Sequence, residues 1–449
     1  MKKIYKVFLL LLLSLCTFDA KALDVISDEE TEVFLQGLIE PIFRAAGIPF
    51  KRERIYIVND DSLNAFVADG NAMFIFTGTI IKPTSQEEIK GVVAHETGHI
   101  MGGHILRQKL KAQEMNEVSL ASLIAAGAAA ALSGRGDVAM AVILGSQSSL
   151  MHHYSAYRVQ EERSADEAAV KLLAGIGKSP AGMRDFMRRI ASQNEMSGIS
   201  EDSYLRTHPM TTERLSFLDD ATNQSPYPIV KTNDEKYQMV KAKLIAYLYD
   251  IKRAMRVYPM TAQTKPARYA HAIIYFREFK IDAAIKEIKS LIEEEPDNPY
   301  FYEVLGQIYM ETGKAALAKE AYRMSLELKP NTPLFQQNLA HAILEDSPTV
   351  AEASEIVDML NKSLIKRPNA FTWLLLSQAY GLKNEIAYAN YAAAEYSYLI
   401  GALDVAKQQA ENAKKASNNP TLTLKIDDLL ERLNDIIKER DRAALRRRR

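Results

Sequence analysis

The sequence predicts an α+β domain, mostly helical with a small sheet, followed by an all-α solenoid of tetratricopeptide repeats. Short β-prone runs precede one helix that carries two histidines four residues apart, His95 and His99. After Pro228 the composition changes to helix formers with periodic alanine and tyrosine. In that second part, prolines recur at an interval of 34 residues, as in Pro296 and Pro330.

The first residues have the features of an export signal. Three lysines in the first six residues precede an apolar run from Val7 to Leu15, which is too short for a stable membrane anchor. Ala20-Lys21-Ala22 then supplies small residues, so we expect a signal peptide over residues 1–22, cleaved after Ala22. Cys16 is the only cysteine, so the mature chain would have neither a thiol nucleophile nor a cysteine metal ligand.

The charge pattern gives no reason to expect a nucleic-acid partner, because the formal net charge is −1. The basic residues near the end of the chain are Arg440, Arg442 and Arg446 to Arg449. We interpret them as a solvated terminus, and contact with an anionic membrane is the alternative interpretation.

The elements before the histidine pair follow in a regular order. Ser27-Asp28 with Glu30 opens a helix that runs towards Ala46. Three short strands are then predicted: Arg54 to Val58, Asn64 to Ala68, and Met73 to Phe76 after the hairpin signal Asp69-Gly70-Asn71. Ser85 with Glu88 forms a capping box for the histidine-bearing helix. An edge strand beside that helix could pair with an extended peptide.

Two apolar runs separate the histidine pair from the next acidic helix. Val118 to Leu132 and Val138 to Leu150 are each too short to cross a membrane. We expect a helical hairpin, either buried against the protein, or acting as a mobile flap, or touching a membrane surface.

The repeats are predicted over residues 266–420. The clearest unit contains Leu305-Gly306, Tyr309, Ala318, Tyr322 and Pro330, which is the tetratricopeptide pattern. The Asn338 to Pro368 stretch fits this pattern only with an insertion. We expect about four repeats, preceded by a helical linker over residues 229–265 and followed by a capping helix and basic tail over residues 421–449. Stacked helix pairs form a concave surface suited to protein segments.

The histidine pair predicts a metal site. Residues four apart on a helix lie one turn above each other, so His95 and His99 can direct two imidazoles at one ion. Glu96 is turned roughly 100° aside. Two ligands with a carboxylate that takes a proton from the attacking water are the layout of a zinc hydrolase. With the preceding helix and small sheet, this predicts a zincin-like peptidase domain over residues 23–228.

A catalytic zinc site needs a third protein ligand and one open position. Glu161 and Glu162 both lie on a predicted helical stretch that runs to Leu173. Glu162 shares a helix face with Asp166, one turn later. If Glu162 binds the metal, Asp166 is placed to hydrogen-bond a ligating imidazole. Glu161 is the competing ligand.

Two other histidines stand out. His104 follows His99 by five residues and falls roughly 140° around a continuous helix from it. We therefore expect a packing or hydrogen-bonding residue rather than a ligand. His208, followed by Pro209, lies in a loop ahead of a helix start that carries Arg214.

These motifs resemble the family of zinc metallopeptidases related to β-barrel assembly-enhancing protease, in which a tetratricopeptide domain follows the peptidase. The resemblance covers nearly the whole mature chain. It rests on His95-Glu96-x-x-His99 with His104, on Glu162-x-x-x-Asp166, and on His208-Pro209 with Arg214. Val159 departs from the pattern, because many relatives carry arginine three residues before the ligand glutamate. The resemblance implies that His95, His99 and Glu162 bind one zinc ion, that Glu96 is the catalytic carboxylate, and that His208 lies across the cleft.

The function expected from this resemblance is a periplasmic zinc endopeptidase that acts on misfolded or stalled envelope proteins in outer-membrane quality control. The repeats would recruit unfolded substrates or the outer-membrane assembly machinery, with peripheral membrane contact at most. The alternative is a mainly non-proteolytic chaperone or scaffold for outer-membrane protein assembly. His208 has two open roles, to stabilise the oxyanion or to occupy the fourth zinc position and hold the enzyme latent.

Overall fold

The computed structural model describes residues 24–68, 71–107, 110, 158–197, 208–230 and 234–447. The predicted signal peptide and the predicted apolar hairpin from Val118 to Leu150 lie outside these ranges. The described chain falls into two compact units. One contains residues up to Ser27, Ile55–Thr84 and Gly91–Tyr227, and the other contains Asp28–Arg54, Ser85–Lys90 and Pro228 onward. Residues 28–54 thus group with the helical repeats, and the domain boundaries drawn from the sequence remain predictions.

The strands are β1 (Val25–Ile26), β2 (Ile55–Val58), β3 (Ala65–Ala68) and β4 (Ala72–Phe76). Up to residue 223 the helices are α1 (Glu29–Ala45), α2 (Thr77–Ile81), α3 (Gln86–Met101), α4 (residues 158–175), α5 (Ala181–Ser197) and α6 (Thr212–Asn223). Residues 104–107 are also helical, and Arg52–Arg54 form a 3-10 turn. The remaining helices are α7 (Glu235–Leu248), α8 (Ile251–Val257), α9 (Lys265–Arg277), α10 (Ile281–Glu294), α11 (Pro299–Glu311), α12 (Ala315–Leu328), α13 (Pro333–Glu345), α14 (Val350–Lys366), α15 (Ala370–Leu382), α16 (Ile386–Leu399), α17 (Leu403–Ala416) and α18 (Pro420–Arg447).

The sheet of the first unit has the strand order β1-β2-β4-β3. The β2–β4 pair is parallel and the two outer pairs are antiparallel. Alternation along the strands separates two faces. Ile57 and Ile75, which face each other across β2 and β4, are buried on one face, whereas Tyr56, Phe74 and Phe66 stack on the other with ring centroids 4.7 Å apart. The predicted small sheet is therefore confirmed.

Helix α3 carries the histidine pair and begins where the sequence predicts. Ser85 accepts a hydrogen bond from the Glu87 backbone N–H at 3.1 Å, which caps the first turn. On the face of α3 towards α4, Gly98 allows backbone contact. A Cβ atom at this position would lie 2.7 Å from the carbonyl oxygen of Ala165. This close approach brings the acidic face of α4 to the histidines of α3.

The second unit is built from consecutive helices that pack against their neighbours from α9 to α18. The stretch that fits the repeat only with an insertion forms α13 and α14, and α14 has 17 residues where α12 has 14. The predicted capping helix is the 28-residue α18. Its buried side chains pack on the alanines of α17, and they are Leu422, Ile426, Leu429 and Leu433. The predicted fold class, an α+β unit with a small sheet and a helical solenoid, is confirmed.

Several helices of the solenoid end in the same left-handed turn. The second residue after α9, α11, α15 and α16 has a positive φ, with values of 59° at Phe279, 73° at Gly313, 59° at Asn384 and 79° at Gly401. The next N–H donates to a carbonyl five residues back, as from Lys280 to Tyr275 at 2.9 Å. Of these four residues, Phe279 has the largest side chain, and that side chain is 88% exposed.

The first turn of α1 is held by buried charges within the second unit. Lys243 on α7 pairs with Asp28, with Glu303 at 3.0 Å and with Glu30 at 3.6 Å. The Tyr269 hydroxyl donates to Glu30 at 3.0 Å. Burial raises the pKa of Glu30 to about 7, although Lys243 acts in the opposite direction.

A second group of ion pairs holds the other acidic residues of the same turn. Glu29 contacts Arg52 at 2.5 Å and Lys329 at 3.2 Å, and Glu32 contacts Arg367 at 2.6 Å. Since both glutamates are buried, the basic partners are required to offset the cost of removing these carboxylates from water.

Among the described helices, none combines the length and apolar character that a membrane crossing requires.

We predict that Phe279→Gly stabilises the protein. The variant removes the steric cost of a left-handed conformation, so the free energy of unfolding should rise by about 1 kcal/mol. Urea denaturation of the two proteins measures this difference. Gly313→Ala, at the same position of another turn, should lower the free energy of unfolding. An unchanged or lower stability of Phe279→Gly would contradict the strain at this turn.

We also predict a pH-dependent contribution from Glu30. Its folded-state pKa of about 7 lies above the ordinary value of 4.5, so the protonated carboxyl favours the fold. That contribution is complete below the unfolded pKa and is lost as the pH rises through the folded one. The free energy of unfolding of the wild type, relative to Glu30→Gln, should therefore fall between about pH 5 and about pH 8. Glu40→Gln controls for substitution on the same helix. A constant difference across this range would exclude the titration.

Candidate metal centre

Two imidazoles of α3 face each other inside the first unit. His95 and His99 lie one turn apart, their Nε2 atoms are 3.1 Å apart, and their ring planes meet at 84°. Both side chains are buried. The predicted alignment of the pair on one helix face is therefore present.

Glu162 of α4 faces this pair. Its carboxylate oxygens lie 3.3 Å from His95 Nε2 and 3.4 Å from His99 Nε2. His208 Nδ1 lies 3.1 Å from the same carboxylate. Each of His95, His99, Glu162 and His208 offers one ligand atom within 4.8 Å of the others. The structure brings these four predicted site residues together.

The competing carboxylate points elsewhere. Glu161 Oε1 lies 3.7 Å from the guanidinium of Arg107, and Glu161 is not part of the four-residue group found among the described residues. The geometry thus favours Glu162 as the third ligand, an assignment that remains a prediction.

Asp166 and Arg214 contact the candidate ligands His95 and Glu162 and hold them in place. Asp166 Oδ1 lies 2.9 Å from His95 Nδ1, on the side of the ring away from the cluster. Arg214 donates to both oxygens of Asp166, at 2.6 and 2.9 Å, and lies 3.0 Å from Glu162. It also donates to the Pro209 carbonyl at 2.8 Å, which fixes the backbone next to His208. The sequence singled out Arg214 without giving it a role, because its partners are distant along the chain.

Glu96 lies beside Nε2 of His208, whereas Glu162 lies beside Nδ1 of the same ring. Its Oε1 atom is 3.4 Å from His208 Nε2 and accepts no hydrogen bond from the described residues. Burial raises the pKa of Glu96 to about 7. A buried carboxyl of this kind, beside candidate metal ligands, is suited to accept and return a proton near neutral pH.

The electrostatics of the cluster call for a cation. Glu96, Glu162 and Asp166 are buried carboxylates, and Arg214 supplies one positive charge. In the protonation state that binds a metal, with neutral imidazoles and ionised carboxylates, the three carboxylates and one guanidinium leave an excess of two negative charges, and charges buried in this way are costly. The pKa of His95 responds to this field. Burial alone would lower it, but contacts with Asp166 and Glu162 raise it to about 9.

The donor set fits a divalent zinc ion. Two histidine nitrogens and a glutamate oxygen are ligands that zinc takes in hydrolase sites, and a charge of +2 balances the two excess carboxylates. The pKa values of His99 and His208 are lowered by burial, which favours the neutral rings that bind metal. His95, His99 and Glu162 would hold the ion, with His208 at the remaining position of the cluster.

His104 occupies a place that differs from the expected one. The estimate of roughly 140° from His99 assumed one continuous helix, but α3 ends at Met101 and Gly103 has a φ of 65°. The turn brings His104 Nδ1 to 2.8 Å from His99 Nδ1. His104 is therefore a hydrogen-bonding residue, as expected, although the geometry behind that expectation was wrong.

Sequence comparisons relate this chain to peptidases. The family described as "Peptidase family M48" matches residues 29–222. Beta-barrel assembly-enhancing protease of Escherichia coli O157:H7 is 25% identical over 360 residues, which cover 78% of this chain and 72% of that protein. Putative beta-barrel assembly-enhancing protease of Vibrio cholerae serotype O1 is 22% identical over 364 residues, covering 79% and 74%. The crystal structure of yeast Tom70 covers 96% of this chain and 78% of its own at 13% identity, with a TM-score of 0.30, which is too low to carry an argument.

We predict that Asp166→Asn weakens metal binding. The amide removes the negative charge that orients His95, and loss of such an outer partner typically costs about 10–100-fold in metal affinity. Competition with a chromophoric chelator measures the zinc dissociation constant. Asp185→Asn, which alters a partly buried carboxylate of α5 paired with Arg184, is the matched control. Equal affinities of the two variants would remove Asp166 from this role.

Proposed function

We propose that this chain is a periplasmic zinc endopeptidase that acts on misfolded or stalled outer-membrane proteins. The model of peptidase family M48 matches residues 29–222, the segment that contains the candidate metal centre. The observation that carries the proposal is the convergence of His95, His99 and Glu162 beside Glu96 in one buried, negatively charged cluster.

The proposed mechanism assigns a step to each residue near the cluster. A zinc ion, when bound, supplies Lewis acidity that activates water and polarises the peptide carbonyl. Glu96 takes a proton from the attacking water and returns it to the departing amine. Asp166 and Arg214 keep the ligating side chains in place, since they contact His95 and Glu162 directly.

His208 is proposed to control access to the cluster. Its Nδ1 lies 3.3 Å from His95 Nε2 and 3.1 Å from Glu162, and these distances support the role of a fourth ligand in a latent state. If His208 leaves this position, the same ring, protonated, would be available to stabilise the oxyanion.

The substrates are proposed from the relatives and from the helical repeats. The relatives matched over most of the chain are named beta-barrel assembly-enhancing proteases. A solenoid of helix pairs presents an extended surface for protein segments, which supports recruitment of unfolded envelope proteins or of the outer-membrane assembly machinery. The predicted signal peptide supports a periplasmic location. Peripheral membrane contact through the predicted hairpin from Val118 to Leu150 is tested by binding of the protein to liposomes.

We predict that Glu96→Gln abolishes cleavage and keeps the metal. The amide cannot accept the proton, so cleavage of an unfolded test protein should fall by about 10²–10⁴-fold. Zinc content, measured by metal analysis, should stay near one ion per chain, because Glu96 is not among the predicted ligands. Glu87→Gln, on the same helix, is the control. Full activity of Glu96→Gln would remove Glu96 from its role, and a wild type without zinc would overturn the peptidase mechanism.

A second candidate function is a chaperone or scaffold in which cleavage is secondary. It is favoured by the extent of the second unit, whose helices follow one another from α9 to α18. Complementation of a deletion strain separates the two functions. Rescue by Glu96→Gln would favour the binding role, whereas failure of a stably expressed variant would favour proteolysis.

A further inference from the structure

The two histidines of α3 differ in the group that contacts the Nδ1 atom of each ring. His95 Nδ1 faces the carboxylate of Asp166 at 2.9 Å. His99 Nδ1 instead faces another imidazole, at 2.8 Å from His104 Nδ1. The rings of His99 and His104 meet at 75°, with centroids 4.9 Å apart. This contact has no part in the mechanism proposed above.

The position of the protons follows from the geometry. His99 Nε2 faces the cluster, 3.4 Å from Glu162, and must be unprotonated to bind a metal. The neutral ring then carries its proton on Nδ1 and donates it to His104. His104 accepts through Nδ1, so its own proton is on Nε2, on the far side of the ring.

A turn after α3 makes this contact possible. Gly102 and Gly103 interrupt the helix, and the positive φ of Gly103 redirects the chain so that His104 turns back towards His99. A Cβ atom on Gly102 would lie 2.2 Å from His104 Nε2. Any side chain at Gly102 would therefore displace the imidazole. His104 itself is 1% exposed.

The short helical stretch at residues 104–107 is tied to α4 as well. Arg107, three residues after His104, lies 3.7 Å from Glu161, the residue next to Glu162. The stretch thus contacts both helices that supply candidate ligands, which gives His104 a defined position relative to the cluster.

We propose that His104 is the positioning residue of His99. It accepts the Nδ1 proton of that ring in a space left open by Gly102, and so directs Nε2 towards the metal. This inference rests on the proposed metal site. It predicts that zinc is held less tightly, and in a different geometry, when the acceptor is lost.

Three variants of the full mature chain test the inference. His104→Leu fills the space but removes the acceptor. His104→Asn keeps an acceptor, because its side-chain oxygen can occupy the place of Nδ1. Gly102→Ala leaves His104 in the sequence but pushes its ring away. His341→Leu, which alters a half-buried histidine of the second unit packed on Phe371, is the matched control.

The measurements are the zinc dissociation constant, by chelator competition, and the visible spectrum of the cobalt-substituted protein. His104→Leu and Gly102→Ala should raise the dissociation constant by about 10–100-fold and change the cobalt spectrum. His104→Asn should stay near the wild type on both measurements. Thermal unfolding of the metal-free proteins identifies any variant whose fold is lost, and the comparison then uses the others.

Two outcomes would overturn the inference. If His104→Leu binds zinc as tightly as the wild type and gives the same cobalt spectrum, the acceptor has no role. His104→Asn must also differ from His104→Leu, because equal losses in both would mean that only packing of the imidazole matters. Failure of the wild type itself to bind zinc would instead overturn the proposed function, so the two failures are distinguishable.

Discussion

Three buried carboxylates and one guanidinium meet beside the histidine pair of α3, and this excess of negative charge is the constraint on which the peptidase unit depends. Arg214 reduces it by pairing with Asp166 and Glu162 together. Without that guanidinium, the two carboxylates would face each other in a site that excludes water, at a high electrostatic cost. The remaining charge is the physical reason for a divalent ion at this place. The same charges that select the ion also orient its candidate ligands.

Backbone contact makes that arrangement possible. The absence of a side chain at Gly98 lets α3 approach the backbone of α4 at Ala165, and Glu162 lies one turn before Ala165 on the same helix. The break after Met101 then returns the chain to the outer side of His99. Small residues at these positions act on the site through packing.

The second unit solves a related problem of buried charge in a different way. Its carboxylates on the first turn of α1 are paired with Lys243, Lys329 and Arg367 of the same unit. Here the ion pairs tie an early segment of the chain to residues far along it. The stacked helices of the second unit form an extended surface of the kind that binds protein segments.

The amino-acid sequence by itself determined the histidine-bearing helix, the acidic helix and the repeats, because these signals are local. The spacing of His95 and His99, and the 34-residue period of the solenoid, can be read without knowledge of any distant contact. It left Glu161 and Glu162 as alternatives, since neighbouring residues on a helix point roughly 100° apart and only packing selects the face. The place of His104 was misjudged because the helix was assumed to continue through two glycines. Only the tertiary structure decided the role of Arg214, because its pairing with Asp166 joins residues 48 positions apart, and such contacts depend on how the helices pack rather than on any sequence pattern.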